Sequence, residues 1–118
     1  MPITTSIKDR VAEIVFDVPP VNAFDSETWL SLPAIITAAS SNPDVNCVLI
    51  RAEGRGFCGG VDIKEMQAHP DRITVLNRGN YLTFKAIRNA EIPVVSAVHK
   101  FVIGGGIGIC GASDTIIA

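Results

Sequence analysis

The chain has 118 residues, 47% of them apolar, and a net charge of −2 from ten Lys and Arg against twelve Asp and Glu. That length bounds one domain, and that apolar content favours a packed core over disorder. The cations are dispersed, which disfavours nucleic acid or an anionic membrane as a partner. The three cysteines (Cys47, Cys58 and Cys110) form no CxxC pair, which argues against a disulfide framework or a zinc site. Met1 to Thr5 shows no charged-then-apolar leader. The longest apolar stretch, Ile92 to Cys110, is interrupted by His99, Lys100 and a run of glycines. The expectation is a soluble, cytoplasmic protein.

In chain order, Thr4 to Lys8 and Val11 to Val18 flank Asp9-Arg10 and read as a β-hairpin ended by Pro19-Pro20. A loop, Val21 to Phe24, leads to a helix capped by Asp25 or Ser26 and running to about Ser40. Its apolar face is Trp29, Leu32, Ile35, Ile36 and Ala39, and Pro33 is expected to kink or split it. Cys47 to Ala52 reads as a buried parallel strand. The glycine loop Gly54-Arg55-Gly56-Phe57-Cys58-Gly59-Gly60 follows, then a short helix from Val61 to Ala68 and a break at His69-Pro70. A longer helix is expected from about Asp71 to Arg88, and a second buried strand from Ile92 to Val98. That strand enters the run Gly104-Gly105-Gly106-Ile107-Gly108, which opens another helix reaching Gly111. Asp114 to Ala118 begins a strand, so the chain is expected to be the front part of a larger fold. Strands alternating with helices give an α/β fold.

Strand, glycine loop and helix start thus occur twice. Neither loop is a nucleotide P-loop, because no Lys-Ser or Lys-Thr follows a glycine. Gly106-x-Gly108-x-x-Gly111 matches a dinucleotide fingerprint in spacing, but its acidic ribose partner would fall beyond Ala118. The alternative is an oxyanion hole, in which one backbone N–H from each loop-to-helix start converges on a single carbonyl oxygen.

The residues carry a resemblance at this point. Phe57-Cys58-Gly59-Gly60-Val61-Asp62-Ile63-Lys64-Glu65 resembles the FxxGxDxxE segment of the crotonase, or enoyl-CoA hydratase/isomerase, superfamily. Pro93 to Val98 with Gly104-Gly105-Gly106 resembles its strand and GGG segment. Val21-Asn22-Ala23-Phe24 is similar to its NAL loop, and Asp114 falls on the Asp of its next strand. The resemblance covers the N-terminal half of that family. It implies a spiral of ββα units, an acyl-CoA substrate with no cofactor beyond the CoA it carries, and a homo-trimer or dimer of trimers.

The resemblance also implies site residues. The backbone N–H groups of Val61 and Gly105 would form the oxyanion hole. Val21 and Ala23 would touch the adenine end of CoA, although Pro19 stands where many relatives carry a basic residue. Gly60, Val61, Asp62, Ile63 and Lys64, with Gly104, Gly105 and Gly108, would line the pantetheine and thioester. Hydratases of the family carry a Glu where this chain has Gly108. Isomerisation, carbon–carbon bond hydrolysis, thioester hydrolysis and decarboxylation are therefore favoured over plain 2-enoyl-CoA hydration. A non-catalytic CoA-ester-binding subunit is the further alternative. Gly108 is expected to open space for a bulky acyl group.

The remaining candidates are weighed against plainer roles. His99, a candidate general base, reads more simply as a strand-end histidine beside a snorkelling Lys100. Asp62 reads as a helix cap rather than a base. Cys58 and Cys110 read as packing rather than nucleophiles. Lys64 and Glu65 read as a solvated helix face, and Trp29, Tyr81 and Phe84 as core or subunit contacts.

Overall fold

The computed structural model describes residues 2–118. Strands β1 (Ile3–Lys8) and β2 (Val11–Phe16) form the expected antiparallel hairpin. Its turn residues Asp9 and Arg10 both take positive φ, +52° and +64°, as a two-residue turn matched to strand twist requires. Strand β2 alternates: Ala12, Ile14 and Phe16 are fully buried while Val11, Glu13 and Val15 keep partial exposure. The chain then forms a short strand β3 (Ala23–Phe24), helix α1 (Ser26–Ser41) and strand β4 (Cys47–Ala52). Next come strand β5 (Gly60–Val61), helix α2 (Ile63–Ala68), a 3-10 turn Pro70–Arg72 and helix α3 (Ile73–Arg88). Strand β6 (Val94–Ala97), helix α4 (Gly105–Ala112) and strand β7 (Thr115–Ile117) complete it.

Five strands make one sheet in the order β1-β2-β4-β6-β7, parallel except for the hairpin. Buried residues of β2, β4 and β6 form one core with Trp29, Leu32 and Ile36 of α1, Leu76 and Ile87 of α3 and Ile109 of α4. The α/β class expected from the alternation is the one observed. Among the described residues, no helix is long and apolar enough to cross a membrane.

Three local expectations change. Val61 does not begin a helix: Gly60 and Val61 pair in parallel with Ala23 and Phe24 as a second, two-stranded sheet, and α2 starts at Ile63 with Asp62 as its cap. The expected long helix begins with the 3-10 turn, and α3 proper with Ile73.

Pro33 neither splits nor ends α1. A proline at that position removes the N–H that would bond the carbonyl of Trp29, four residues back. Buried Thr83 of α3 supplies the missing donor, its Oγ1 lying 3.4 Å from the Trp29 oxygen. The two helices come close enough because residue 79 is glycine; a Cβ there would stand 2.8 Å from Trp29 Cβ.

Thr83→Val should therefore leave a buried carbonyl unpaired and lower stability by about 1–3 kcal/mol in urea unfolding. Adding Pro33→Ala restores a backbone donor and should recover much of that loss. A double variant no more stable than Thr83→Val would contradict the account.

Candidate active site

The two glycine loops are joined backbone to backbone. Phe57 N–H donates to the carbonyls of His99 and Phe101, each at 3.1 Å, and Ile103 N–H donates to Cys58 O at 2.9 Å. Cys58 and Val102 form a parallel bridge at the centre of this seam. Gly60 sits at its end with φ of +88°, where a Cβ would lie 3.0 Å from Ile103 O. Gly104 faces it with φ of +54° and caps α4. Both positions suit glycine: Gly104 combines φ of +54° with ψ of −116°, and a Cβ on Gly60 would crowd Ile103 O.

This seam fixes the direction of two N–H groups. Gly59 and Asp62, three residues apart, both donate toward β3, to Asn22 O and Phe24 O at 2.9 Å. Strict strand alternation would turn one of them away, and the positive φ of Gly60 shifts the phase. Val61, next to Asp62, accordingly aims its N–H away from β3. In α4, the N–H groups of Gly106 and Ile107 donate to Ile103 O and Gly104 O at 2.9 Å. Gly105 keeps its own N–H as the leading donor of the helix. A Cβ on Gly60 would lie 3.6 Å from Gly105 N, so the two donors belong to adjoining backbone.

A cleft of about 390 Å³ runs beside β5. It brings Val21 and Ala23 together with Val61, Asp62, Ile63 and Lys64, and Val18, Pro19, Pro20 and Gly59 also line it. Six of the residues singled out in the sequence thus share one cleft. Gly60, Gly104, Gly105 and Gly108, singled out with them, lie outside its lining. A larger groove of about 760 Å³ lies between Thr37–Val45 and Leu82–Ile92, and the glycine loops do not line it. Size alone does not mark the site.

Asn22 is the residue that sequence reasoning missed. It is buried, with φ of +54°, and its side chain accepts from Val18 N at 2.7 Å. Its amide donates to Glu53 O and Gly56 O, both at 2.8 Å. This latch binds the β2–β3 loop to the first glycine loop. A lone Asn within a short loop, tolerant of positive φ, was the available signal.

Other side chains sort themselves by their contacts. Asp62 caps α2, its Oδ1 accepting from Lys64 N at 3.0 Å. His99 Nε2 lies 2.9 Å from Gly54 O and ties the end of β6 to the first loop; it does not line the cleft. Glu65 corrects an expectation: its side chain is only 11% exposed. Both its oxygens accept from Ser26 N–H at 3.2 Å, giving α1 a carboxylate at its positive end. Tyr81 is exposed, whereas Trp29 is fully buried and Phe84 partly so.

Gly108 is also corrected. The space above it is not open, because a Cβ there would overlap Cζ, Cε1 and Cε2 of Phe84. Gly105 is equally hemmed: its Cβ position is contacted by Asn80 Oδ1 and lies 2.6 Å from Trp29 Cζ2. The dinucleotide spacing Gly106, Gly108, Gly111 falls inside α4 rather than in a strand-to-helix turn, so it forms no phosphate loop. Among the described residues, no group of three or more His, Cys, Asp or Glu could hold a metal ion.

Comparison with known proteins places this geometry in context. A family profile described as enoyl-CoA hydratase/isomerase matches residues 6–118. The chain is 47% identical to a (7aS)-7a-methyl-1,5-dioxo-2,3,5,6,7,7a-hexahydro-1H-indene-carboxyl-CoA hydrolase of Mycobacterium tuberculosis, over all of this chain and 49% of the relative. The hydrolase of the same name from Rhodococcus jostii is 44% identical over 98% of this chain and 45% of its own length. The crystal structure of an enoyl-CoA hydratase from Mycobacterium smegmatis superposes with a TM-score of 0.78 at 27% identity, covering 98% of this chain and 46% of that one. The chain therefore spans about half the length of the curated relatives it matches.

The thiols give a test of the local packing. Burial is the main reason the Cys58 thiol is pushed up to about 11, and burial also raises Cys110. At pH 8 only about one part in a thousand of Cys58 would be thiolate. In the native protein iodoacetamide should label half-exposed Cys47 and spare Cys58, with Cys58 labelling rising as pH approaches 11. Rapid native labelling of Cys58 at pH 7 would contradict this packing.

Proposed function

We propose that this chain, which belongs to the enoyl-CoA hydratase/isomerase family, is an acyl-CoA-transforming enzyme. In this reading Val61 and Gly105 N–H hold a thioester enolate or tetrahedral oxyanion. The observation that carries it is the seam between the glycine loops, which sets two main-chain donors on adjoining backbone. The cleft of Val21, Ala23 and Val61 to Lys64 takes the CoA portion, while Gly60 and Gly104 let the thioester approach the main chain. No cofactor is required beyond the CoA that the substrate carries. The proposed assembly is a trimer or dimer of trimers.

Hydrolytic carbon–carbon cleavage of a bulky β-keto acyl-CoA is the favoured reaction. Gly108 offers no carboxylate for syn-hydration, and two relatives named as hydrolases of a bicyclic carboxyl-CoA support the choice. Water adds to the ketone remote from CoA, and its oxygen becomes part of a new carboxylic acid. The bond from that carbon to the thioester α-carbon breaks, and its electron pair passes into the thioester enolate. Protonation of the α-carbon completes the net addition of one water. The part played by the two N–H groups is electrostatic: they meet negative charge on the thioester oxygen as it develops.

Replacing the Val61 amide by an ester, through incorporation of the corresponding α-hydroxy acid, deletes one donor and leaves the side chain unchanged. Turnover of a cyclic β-keto acyl-CoA, followed as appearance of a second carboxylic acid, should fall on the order of a hundred- to a thousand-fold. A loss below fivefold in a folded variant would remove Val61 from the site.

A further inference from the structure

We infer that Phe84 sets the acyl-group selectivity of this site, favouring thioesters of cyclic acyl groups over short linear 2-enoyl chains. The inference rests on the acyl-CoA reading above and adds to it the residue that meets the acyl group.

The geometry is specific. Gly108 lies on α4 one helical turn beyond Gly105, about 5 Å along the axis. That is roughly the span from a thioester carbonyl to the far edge of a small acyl group. The tip of the Phe84 ring rests on the backbone there, since three of its ring carbons fill the position of a Gly108 Cβ. The ring is held from behind: it meets Trp29 edge to face, with centroids 6.5 Å apart and planes at 80°. Trp29 in turn meets Phe24 at 5.1 Å and abuts Gly105. Phe84 is only partly buried. Neither it nor Gly108 lines the cleft assigned to CoA, and the acyl group would lie beyond that cleft, against the exposed part of the ring.

An aromatic face in that place changes what the site can recognise. It puts an apolar, weakly negative π surface where a hydratase of the resembled family carries a carboxylate. The ring bears no proton to transfer, and it orders no water as a carboxylate does. Its face suits the C–H edges of a saturated or partly saturated ring, which a short flat enoyl chain presents poorly. Gly108 and Phe84 are thus a matched pair: residue 108 must lack a side chain for the ring to lie down on α4.

Binding measured without turnover tests this directly. Cyclohexanecarboxyl-CoA, crotonyl-CoA and CoA itself would be titrated calorimetrically against the wild type, Phe84→Leu and Phe84→Ala, with thermal unfolding as a check on each fold. The wild type should prefer the cyclic thioester, and Phe84→Leu should cut that preference about tenfold while CoA affinity stays the same. Equal affinity of the wild type for the two thioesters, or a wild-type preference retained by a folded Phe84 variant, would overturn the role of Phe84 alone. A wild type that binds neither thioester nor CoA would overturn the acyl-CoA reading, and this inference with it.

Discussion

The structure depends on one constraint: two glycine loops must lie backbone against backbone. The Cys58–Val102 bridge and the Ile103-to-Cys58 hydrogen bond close the seam, and Gly60 and Gly104 let the chains approach at its end. At its end the packing leaves no room for a side chain on Gly105 or Gly106. A Cβ on Gly106 would stand 2.7 Å from Cys58 Cβ, and Gly105 is boxed by Trp29 and Asn80. Because the seam is made of main chain, the donors proposed beside it are held by backbone hydrogen bonds rather than by side chains. Fixed donors need no reorganisation when charge appears before them, which is the physical basis of oxyanion stabilisation.

Much else in the fold serves this seam. The Asn22 latch holds the cleft's opposite wall to the first loop. Glu65 links α2 to the start of α1, so the helix that follows the first loop is anchored to the main helical layer. Thr83 and Gly79 let α3 press onto α1 at Trp29, and Trp29 in turn supports the start of α4. A line of packed aromatic rings, Phe24, Trp29 and Phe84, thus runs from the small sheet to the glycine helix.

What the sequence made legible was what depends on near neighbours along the chain. The hairpin at Asp9-Arg10, the buried strands β4 and β6, the Asp25 cap and both glycine loops follow from local periodicity and turn chemistry. The grouping of Val21 and Ala23 with Val61 to Lys64 came from a family resemblance, and the cleft unites those residues. Contacts made across the chain stayed hidden. Val61 reads as a helix start until Ala23–Phe24 pairs with it. Pro33 leaves Trp29 O without its helical donor until Thr83, from another helix, satisfies it. Gly108 reads as empty space until Phe84, from another helix, fills it. In each case a distant residue supplies what the local pattern lacks.

The central claim, that adjoining main-chain N–H groups polarise a thioester carbonyl, is tested most directly by vibrational spectroscopy of a bound acyl-CoA labelled with carbon-13 at that carbonyl. The C=O stretch should move to lower frequency on binding, relative to the same thioester free in water, because two fixed donors draw charge onto the oxygen. A bound thioester whose carbonyl stretch stays at its free-solution frequency, or rises, would contradict the account.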